Sequence, residues 1–475
     1  MKTDTIAAIA TAISDAGIGI IRVSGEEAVS VVHKIYQNKN RKNVLEQYPS
    51  HTIHYGFIVE KDGQILDEVM VSVMRAPHSY TMEDTVEINC HGGSLMMKRI
   101  LMEVIHAGAR MAEPGEFTKR AFLNGRIDLS EAEAVMDIIH AKNEFALKTS
   151  VKQLRGSVHD KIKELRDQIL YEIAFIESAL DDPEHISLEG YEDRLSDQVS
   201  HIVEELEKLL ASADDGRILK EGIRTVIVGK PNVGKSSLLN LLTGQERAIV
   251  TDVAGTTRDT LEETVRFGDI TLNIIDTAGI RDTEDTVEKI GVERAKKISE
   301  DADLILYVID SSEALDENDE AILKLIKGKK TIILLNKSDL QPMTDKKAIE
   351  EYYAKVFDCS SQLLETEGNM FPLLSISAKE KEGLDALKAL IESEFLHGRI
   401  VSEEELYLTN VRHKEAILDA LDSMYQVKQS LENHMPEDFY SIDLMSAYAC
   451  MGKILGEEVG EDLVNKIFSE FCMGK

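Results

Sequence analysis

Gly229-Lys-Pro-Asn-Val-Gly234-Lys235-Ser236-Ser237 decides the fold class of this 475-residue chain. Residues 224–228 before it read as a strand and the apolar run 238–242 after it as a helix, so the glycines fall where a strand turns into a helix. In that context GxxxxGKS is a phosphate cradle. Glycine lets successive backbone N–H groups wrap phosphate oxygens, and the positive end of the following helix adds to them. Asn232, Val233, Gly234, Lys235, Ser236 and Ser237 are the expected nucleotide contacts, with Lys235 reaching the β and γ phosphates and Ser236 holding magnesium.

Further motifs follow at the ends of later strand-like runs. Asp276-Thr277-Ala278-Gly279 closes the run 271–275; Asp276 suits water-mediated magnesium binding, and the Gly279 N–H suits a γ phosphate. Asn336-Lys337-Ser338-Asp339 closes 331–335, where a carboxylate accepts from both the ring N–H and the exocyclic amine of guanine while adenine presents a mismatched edge. Ser377-Ala378-Lys379 closes 373–376 and places backbone near the guanine carbonyl. Together these motifs make the region resemble a Ras-like GTPase, and its alternating strands and helices imply a mainly parallel, doubly wound sheet.

Between the first two motifs lies Thr251-Asp-Val-Ala-Gly-Thr256-Thr257-Arg258-Asp259, polar and glycine-containing as a switch loop should be, with Thr257 as a second hydroxyl for magnesium. Ile280 stands directly after DTAG, where small GTPases that orient water with glutamine carry it; a sec-butyl side chain cannot take that part. The segment 281–293 offers Asp282, Glu284, Asp285, Glu288 and Glu293 instead, and each also reads as an ordinary solvated side chain. Positive charge for the transition state has three candidate sources: Arg258, Arg281, or a monovalent cation for which Asn232 offers a carbonyl oxygen. Asn232 reads equally well as a residue that only shapes the loop.

Outward from this unit the character changes on both sides. Before it, 5–10, 19–23, 69–74 and 86–89 read as strands and 26–36 and 94–107 as helices, an α+β module. Ser130-Glu-Ala-Glu133 reads as a capping box with Leu129 as the staple, opening a helical region. Leu154, Val158, Ile162, Leu165, Ile169, Ile173, Ile176 and Leu180 fall on one helical face, and Asp181-Asp-Pro183 stops it. The α/β unit begins near Gly216 and ends with a helix near Leu396. Beyond Gly398 the pattern is helical again, with Ala416, Ile417, Ala420, Leu421 and Tyr425 on a common face. The economical reading is one helical domain interrupted by an inserted α/β unit.

Composition bounds the function. Fifty-four basic against eighty-six acidic residues give a net charge of −32, which disfavours nonspecific binding to polyanions; an RNA substrate then needs a local basic patch or a partner protein. The four cysteines form no CxxC pair, so neither a disulfide framework nor a zinc site is expected. No apolar run approaches the ~20 residues of a spanning helix, and the amino end has no cleavable leader pattern, so a cytoplasmic protein with no membrane partner is expected.

Three stretches outside the nucleotide motifs carry a more specific resemblance. They are Gly17-Ile-Gly-Ile-Ile-Arg22-Val-Ser-Gly25; Tyr80-Thr-Met-Glu-Asp-Thr-Val-Glu87 with His91-Gly-Gly93, followed by Pro114-Gly-Glu-Phe-Thr-Lys-Arg-Ala-Phe-Leu-Asn124; and the terminal Phe471-Cys472-Met-Gly-Lys475. With these the whole chain resembles the MnmE (TrmE) family of tRNA-modification GTPases. The resemblance implies an α+β folate-binding and dimerising domain over 1–122, a helical domain over 123–216 and 398–475, and a G domain over 217–397. It implies a potassium-activated GTPase in which Glu288 positions water. Asn232, Thr251, the Val253 carbonyl and Thr256 would hold potassium, and Ser236 and Thr257 magnesium. Arg22, Glu87, Arg126 and Lys475 would contact 5-formyltetrahydrofolate or a related folate; Arg126 stands where some members have lysine. It further implies a homodimer that joins the flavoprotein MnmG (GidA) in a heterotetramer to modify C5 of the wobble uridine of tRNA, with Cys472 needed for modification but not for hydrolysis. Ala12-Ile-Ser-Asp15 departs from the proline-containing loop of many members. The alternative from another class, a ribosome-assembly GTPase acting as a nucleotide-gated RNA-binding module, predicts an appended basic domain that the sequence does not show.

Overall fold

The computed structural model describes residues 4–182, 184–187, 189–244, 263–267, 270–275, 302–357, 371–396, 406–457, 459–469, 471 and 474. The first strands are β1 (Ile6–Ile9), β2 (Ala16–Ser24), β3 (Tyr36–Asn38), β4 (Thr52–Val59), β5 (Ile65–Met74), β6 (Thr85–Gly92) and β7 (Arg110–Met111). They form one sheet in the order β3-β4-β5-β6-β2-β1-β7. Every neighbour is antiparallel except β1 and β7. Alternation explains its core: Val69, Val71 and Val73 of β5 and Val86 and Ile88 of β6 pack with Val31, Val32 and Ile35 of α1 (Ala28–Ile35) and Met97, Ile100 and Val104 of α2 (Ser94–Ala107). The expected strands and both helices are present, and β3, β4 and β7 add to them.

The helical region opens with α3 (Glu116–Leu123), α4 (Leu129–His140), α5 (Glu144–Leu154), α6 (Ser157–Asp181) and α7 (Tyr191–Glu221). Its first cap corrects the sequence reading. The Glu131 N–H donates to Asp128 Oδ1 at 2.7 Å and the Asp128 N–H donates to Glu131 Oε2 at 2.9 Å, so the capping box is Asp128…Glu131; Ser130 donates its hydroxyl to Asp128 Oδ1 at 2.7 Å. In α6, Val158, Ile162, Leu165, Ile169, Ile173 and Ile176 are buried as expected. Leu154 belongs instead to α5, because Gly156 at φ +88° breaks the helix, and Leu180 is exposed.

The second sheet is built from β8 (Ile223–Val228), β9 (Glu263–Phe267), β10 (Ile270–Ile274), β11 (Leu304–Asp310), β12 (Thr331–Asn336) and β13 (Leu373–Ser375) in the order β13-β12-β11-β8-β10-β9. All pairs are parallel except β9 with β10. Helices α8 (Lys235–Thr243), α9 (Glu317–Ile326), α10 (Lys346–Phe357) and α11 (Leu384–Leu396) belong to it. Leu238, Leu242, Leu387 and Ile391 cover one face, and Leu323, Ile326 and Ile349 the other, which is the doubly wound arrangement. The first strand of this sheet, β8, begins at Ile223, directly after α7, the helix in which Gly216 lies.

The last helices are α12 (Val411–Glu432), α13 (Glu437–Leu455) and α14 (Glu461–Ser469). On α12 the expected face is buried except for Tyr425, which is exposed. The chain divides into two compact units, one of 1–139, 151–203 and 416–475 and one of 140–150 and 204–415, so the middle of the chain interrupts a unit made from both ends. Within the first unit Arg166 of α6 pairs with Glu457 at 2.5 Å and lies 4.0 Å from the ring centre of Tyr448 on α13. No helix among the described residues is long and apolar enough to cross a membrane.

Candidate functional site

The buried strand β8 ends in Gly229 at φ +153°, where a Cβ would stand 2.4 Å from the Val308 carbonyl oxygen. Only glycine allows that approach. Asn232 lies at φ +63° and Gly234, the residue before α8, at φ +101°; a Cβ on Gly234 would meet Asn336 Nδ2 at 2.1 Å. The loop therefore curls around its own backbone. Lys235 Nζ donates to the carbonyls of Gly229 at 2.8 Å and Lys230 at 2.6 Å, which holds the ammonium against the loop, and burial lowers its pKa. Ser236 and Ser237 occupy the first turn of α8, Ser236 half-buried and Ser237 exposed.

Asn336 joins this loop to the motifs that follow β12 and β13. Its Nδ2 donates to the Val233 carbonyl at 2.7 Å and its Oδ1 accepts from the Ala378 N–H at 3.0 Å. Lys337, at φ +61°, pairs with buried Asp310 at 2.5 Å. Asp339 Oδ1 accepts from the Ser377 hydroxyl at 2.6 Å, and that donation holds its carboxyl below the ordinary aspartate value. Asp339 is thus a charged acceptor at neutral pH, aimed by Ser377, as reading a guanine edge requires. Lys379 is largely exposed beside Glu380. The arrangement brings together Asn232, Val233, Gly234, Lys235, Asn336, Asp339, Ser377 and Ala378.

Sequence reasoning missed the residue that anchors the loop from below. Lys230 Nζ pairs with Asp319 Oδ2 at 2.8 Å and Asp316 Oδ2 at 3.1 Å; Asp319 is 1% exposed and also accepts from the Tyr307 hydroxyl at 2.7 Å. Burial alone would lower the Lys230 pKa, but the two aspartates outweigh it and raise it. The only signal in the sequence was a lysine inside the glycine loop.

Thr251, Val253, Thr256, Thr257, Asp276, Thr277, Ala278, Gly279, Glu288, Cys472 and Lys475 lie outside the described residues, as do Arg258, Arg281 and the other acids of 281–293.

In the first unit Arg22 and Glu87 are cross-strand partners on β2 and β6, with Arg22 Nε 2.9 Å from Glu87 Oε1. Arg22 also donates to the Gly474 carbonyl at 3.1 Å. Its guanidinium lies 6.0 Å from the Tyr80 ring centre and 5.7 Å from that of Phe117. Arg126 lies 4.8 Å from the Tyr80 ring centre and donates to the Tyr80 carbonyl at 2.8 Å. Arg22 and Arg126 therefore both lie by the Tyr80 ring, and Glu87 is held by Arg22. Tyr80 itself is steadied by Thr118 at 2.9 Å. The rest of that sequence motif is structural: Arg120 sits buried between Glu83 at 3.0 Å and Glu116 at 2.9 Å. Gly474, at φ +88°, packs so closely on β1 that a Cβ would stand 2.4 Å from the Ile9 carbonyl oxygen.

With this geometry in place, comparison with known proteins adds the family. A model described as the GTP-binding protein TrmE N-terminus matches residues 5–126, and one described as the MnmE helical domain matches 129–472. The chain belongs to the MnmE (TrmE) family of tRNA modification GTPases. The tRNA modification GTPase MnmE of Lachnoclostridium phytofermentans is 56% identical over 475 residues, covering 100% of both chains. That of Clostridioides difficile is 47% identical over 476 residues, covering 99% of each, and that of Bacillus cereus 45% over 477, covering 100% of each. The phosphate loop belongs to the unit of 140–150 and 204–415, and Arg22 and Glu87 to the unit of 1–139, 151–203 and 416–475.

Proposed function

We propose that this chain couples GTP hydrolysis to addition of a carboxymethylaminomethyl or aminomethyl group at C5 of the wobble uridine, position 34, of certain tRNAs. The observation that carries the reading is the Asn336 bridge between Val233 and Ala378, which joins a phosphate cradle to the aspartate that suits guanine.

In this reading Lys235 binds the β and γ phosphates and Glu288 orients the attacking water. Magnesium fits the hydroxyls of Ser236, at the start of α8, and Thr257. Asn232, Thr251, the Val253 carbonyl and Thr256 are oxygen donors of the kind potassium takes; the cation, when bound, supplies positive charge beside the phosphates as an arginine finger does elsewhere. The remaining contacts are Ser237, Thr277, Ala278, Gly279, Lys337 and Lys379.

The Arg22–Glu87 pair, Arg126 and Lys475 suit a folate. Glu87 can accept from the amino edge of a pterin, the arginines can meet carboxylates, and the Tyr80 ring offers a stacking face. The G domain is assigned to 217–397, the folate domain to 1–122, and the helical domain to 123–216 with 398–475. The protein acts in the cytoplasm as a homodimer with a flavoprotein partner of the MnmG (GidA) type, and Cys472 takes part in modification.

Nucleoside mass spectrometry of tRNA from a strain lacking this gene tests the reading. The C5-modified wobble uridine should disappear, return with the intact gene, and stay absent with Cys472→Ser even though that variant hydrolyses GTP. An unchanged nucleoside profile in the deletion strain would contradict it.

A further inference from the structure

A chain with a net charge of −32 must confine any contact with RNA phosphates to a local surface. The first unit has such a surface. From Ala28 to Leu45 the sequence contains no aspartate or glutamate and carries Lys34, Lys39, Arg41 and Lys42, all exposed.

Three of these cations stand on an ordered turn at the end of β3, the edge strand of the sheet. Asn38 builds it: its Oδ1 accepts from the N–H groups of Asn40 at 2.9 Å and Lys42 at 3.1 Å, its own N–H donates to the Lys42 carbonyl at 3.0 Å, and its carbonyl accepts from the Arg41 N–H at 2.8 Å. Asn43 ties the turn to α1 by donating to the His33 carbonyl at 3.2 Å. The charges are thus held in place rather than strung on a tail, which lowers the entropy lost on docking.

Aromatic rings lie beside them. The Arg41 guanidinium is 4.7 Å from the Phe57 ring centre, and Phe57 meets Tyr55 edge to face at 5.6 Å. Tyr55 is 43% exposed and Ile53, two residues before it on the same face of β4, is 62% exposed. Glu68, opposite Phe57 on β5 and hydrogen-bonded to the Tyr55 hydroxyl, is the acid beside the patch, against the three cations of the turn.

Cations on a fixed turn beside an exposed ring fit single-stranded or looped RNA, whose phosphates need positive charge and whose unpaired bases stack on aromatics. We infer that the turn at residues 38–42, with Tyr55 and Phe57, is a docking surface for the tRNA, meeting its phosphates with Lys39, Arg41 and Lys42 and stacking a base on Tyr55. The inference rests on the reading of tRNA as substrate.

The test is binding of a fluorescently labelled tRNA transcript to the full-length protein over a series of salt concentrations. The triple variant K39E/R41E/K42E should bind at least about tenfold more weakly at low salt. Its slope of log affinity against log salt should be shallower by roughly 2 to 3, since each phosphate contact contributes about 0.9 for duplex and 0.7 for single strands. Tyr55→Ala should weaken binding about 5- to 100-fold with little change of slope. GTP turnover and sedimentation should stay as in the unmodified protein, and glutamine replacements serve if the charge reversal fails to fold.

Unmodified protein that binds tRNA beside a triple variant of equal affinity and slope would overturn the docking surface alone. A change in oligomeric state in the variant would assign the surface to a second copy of the chain and overturn it too. Unmodified protein that binds no tRNA at any salt would remove the substrate reading and this inference together.

Discussion

Lys230 shows how a single side chain can hold a binding loop from outside the motif that names it. Its ammonium neutralises Asp319, which is 1% exposed, while its carbonyl receives Lys235 Nζ. Removing one partner of a buried pair strands the other's charge. Lys230→Met should therefore lower unfolding free energy by about 3 kcal/mol, and adding Asp319→Asn should restore part of it. Denaturant titration of the full chain reads the difference, and a loss below about 1 kcal/mol would show that solvent already screens the pair. At this scale the convergence of Val233, Asn336, Asp339, Ser377 and Ala378 was legible because their motifs fall where strands of one sheet end. The Lys230–Asp319 pair was not, because nothing in a lysine's spacing reveals which distant carboxylate it will meet.

Elements are decided by competition between overlapping signals. Asp128-Leu-Ser-Glu131 and Ser130-Glu-Ala-Glu133 both satisfy the spacing of a capping box. The first forms, and the second oxygen of Asp128 also meets His159 Nδ1 at 2.6 Å. Asp128→Ala should cost about 1 to 2 kcal/mol of stability, more than Ser130→Ala. Thermal unfolding of the two variants compares them, and the opposite order would return the cap to Ser130. Strand β4 escaped for a different reason. Ile53 and Tyr55 are exposed on one face while Ile58 is buried on the other, so apolar residues on both faces blur the period of two. The stripe ending at Leu154 and Leu180 was over-read because the pattern runs on past Gly156 and into the last turn of α6, where the backbone or the packing does not follow.

Across the molecule, the interruption of one unit by another was legible from the change of pattern near both ends of the α/β region. The length of α7 was not, since the helix runs through Gly216 to Glu221. Among the described residues of the first unit, Gly474 lies against β1 and its carbonyl accepts from Arg22. The sequence alone reads such a tail as a loose end. The central proposal concerns the other unit: Asp339, whose carboxyl accepts from Ser377 and is held below the ordinary aspartate value, is the residue proposed to read the guanine edge. Asparagine there offers an amide N–H to the 2-oxo group of xanthine and loses the match to guanine's amine. The most direct measurement is the affinity of the full chain and of its Asp339→Asn variant for GTP and for xanthosine triphosphate. GTP affinity should fall at least about a hundredfold while xanthosine triphosphate becomes the better ligand. A variant that still prefers GTP at unchanged affinity would contradict the account.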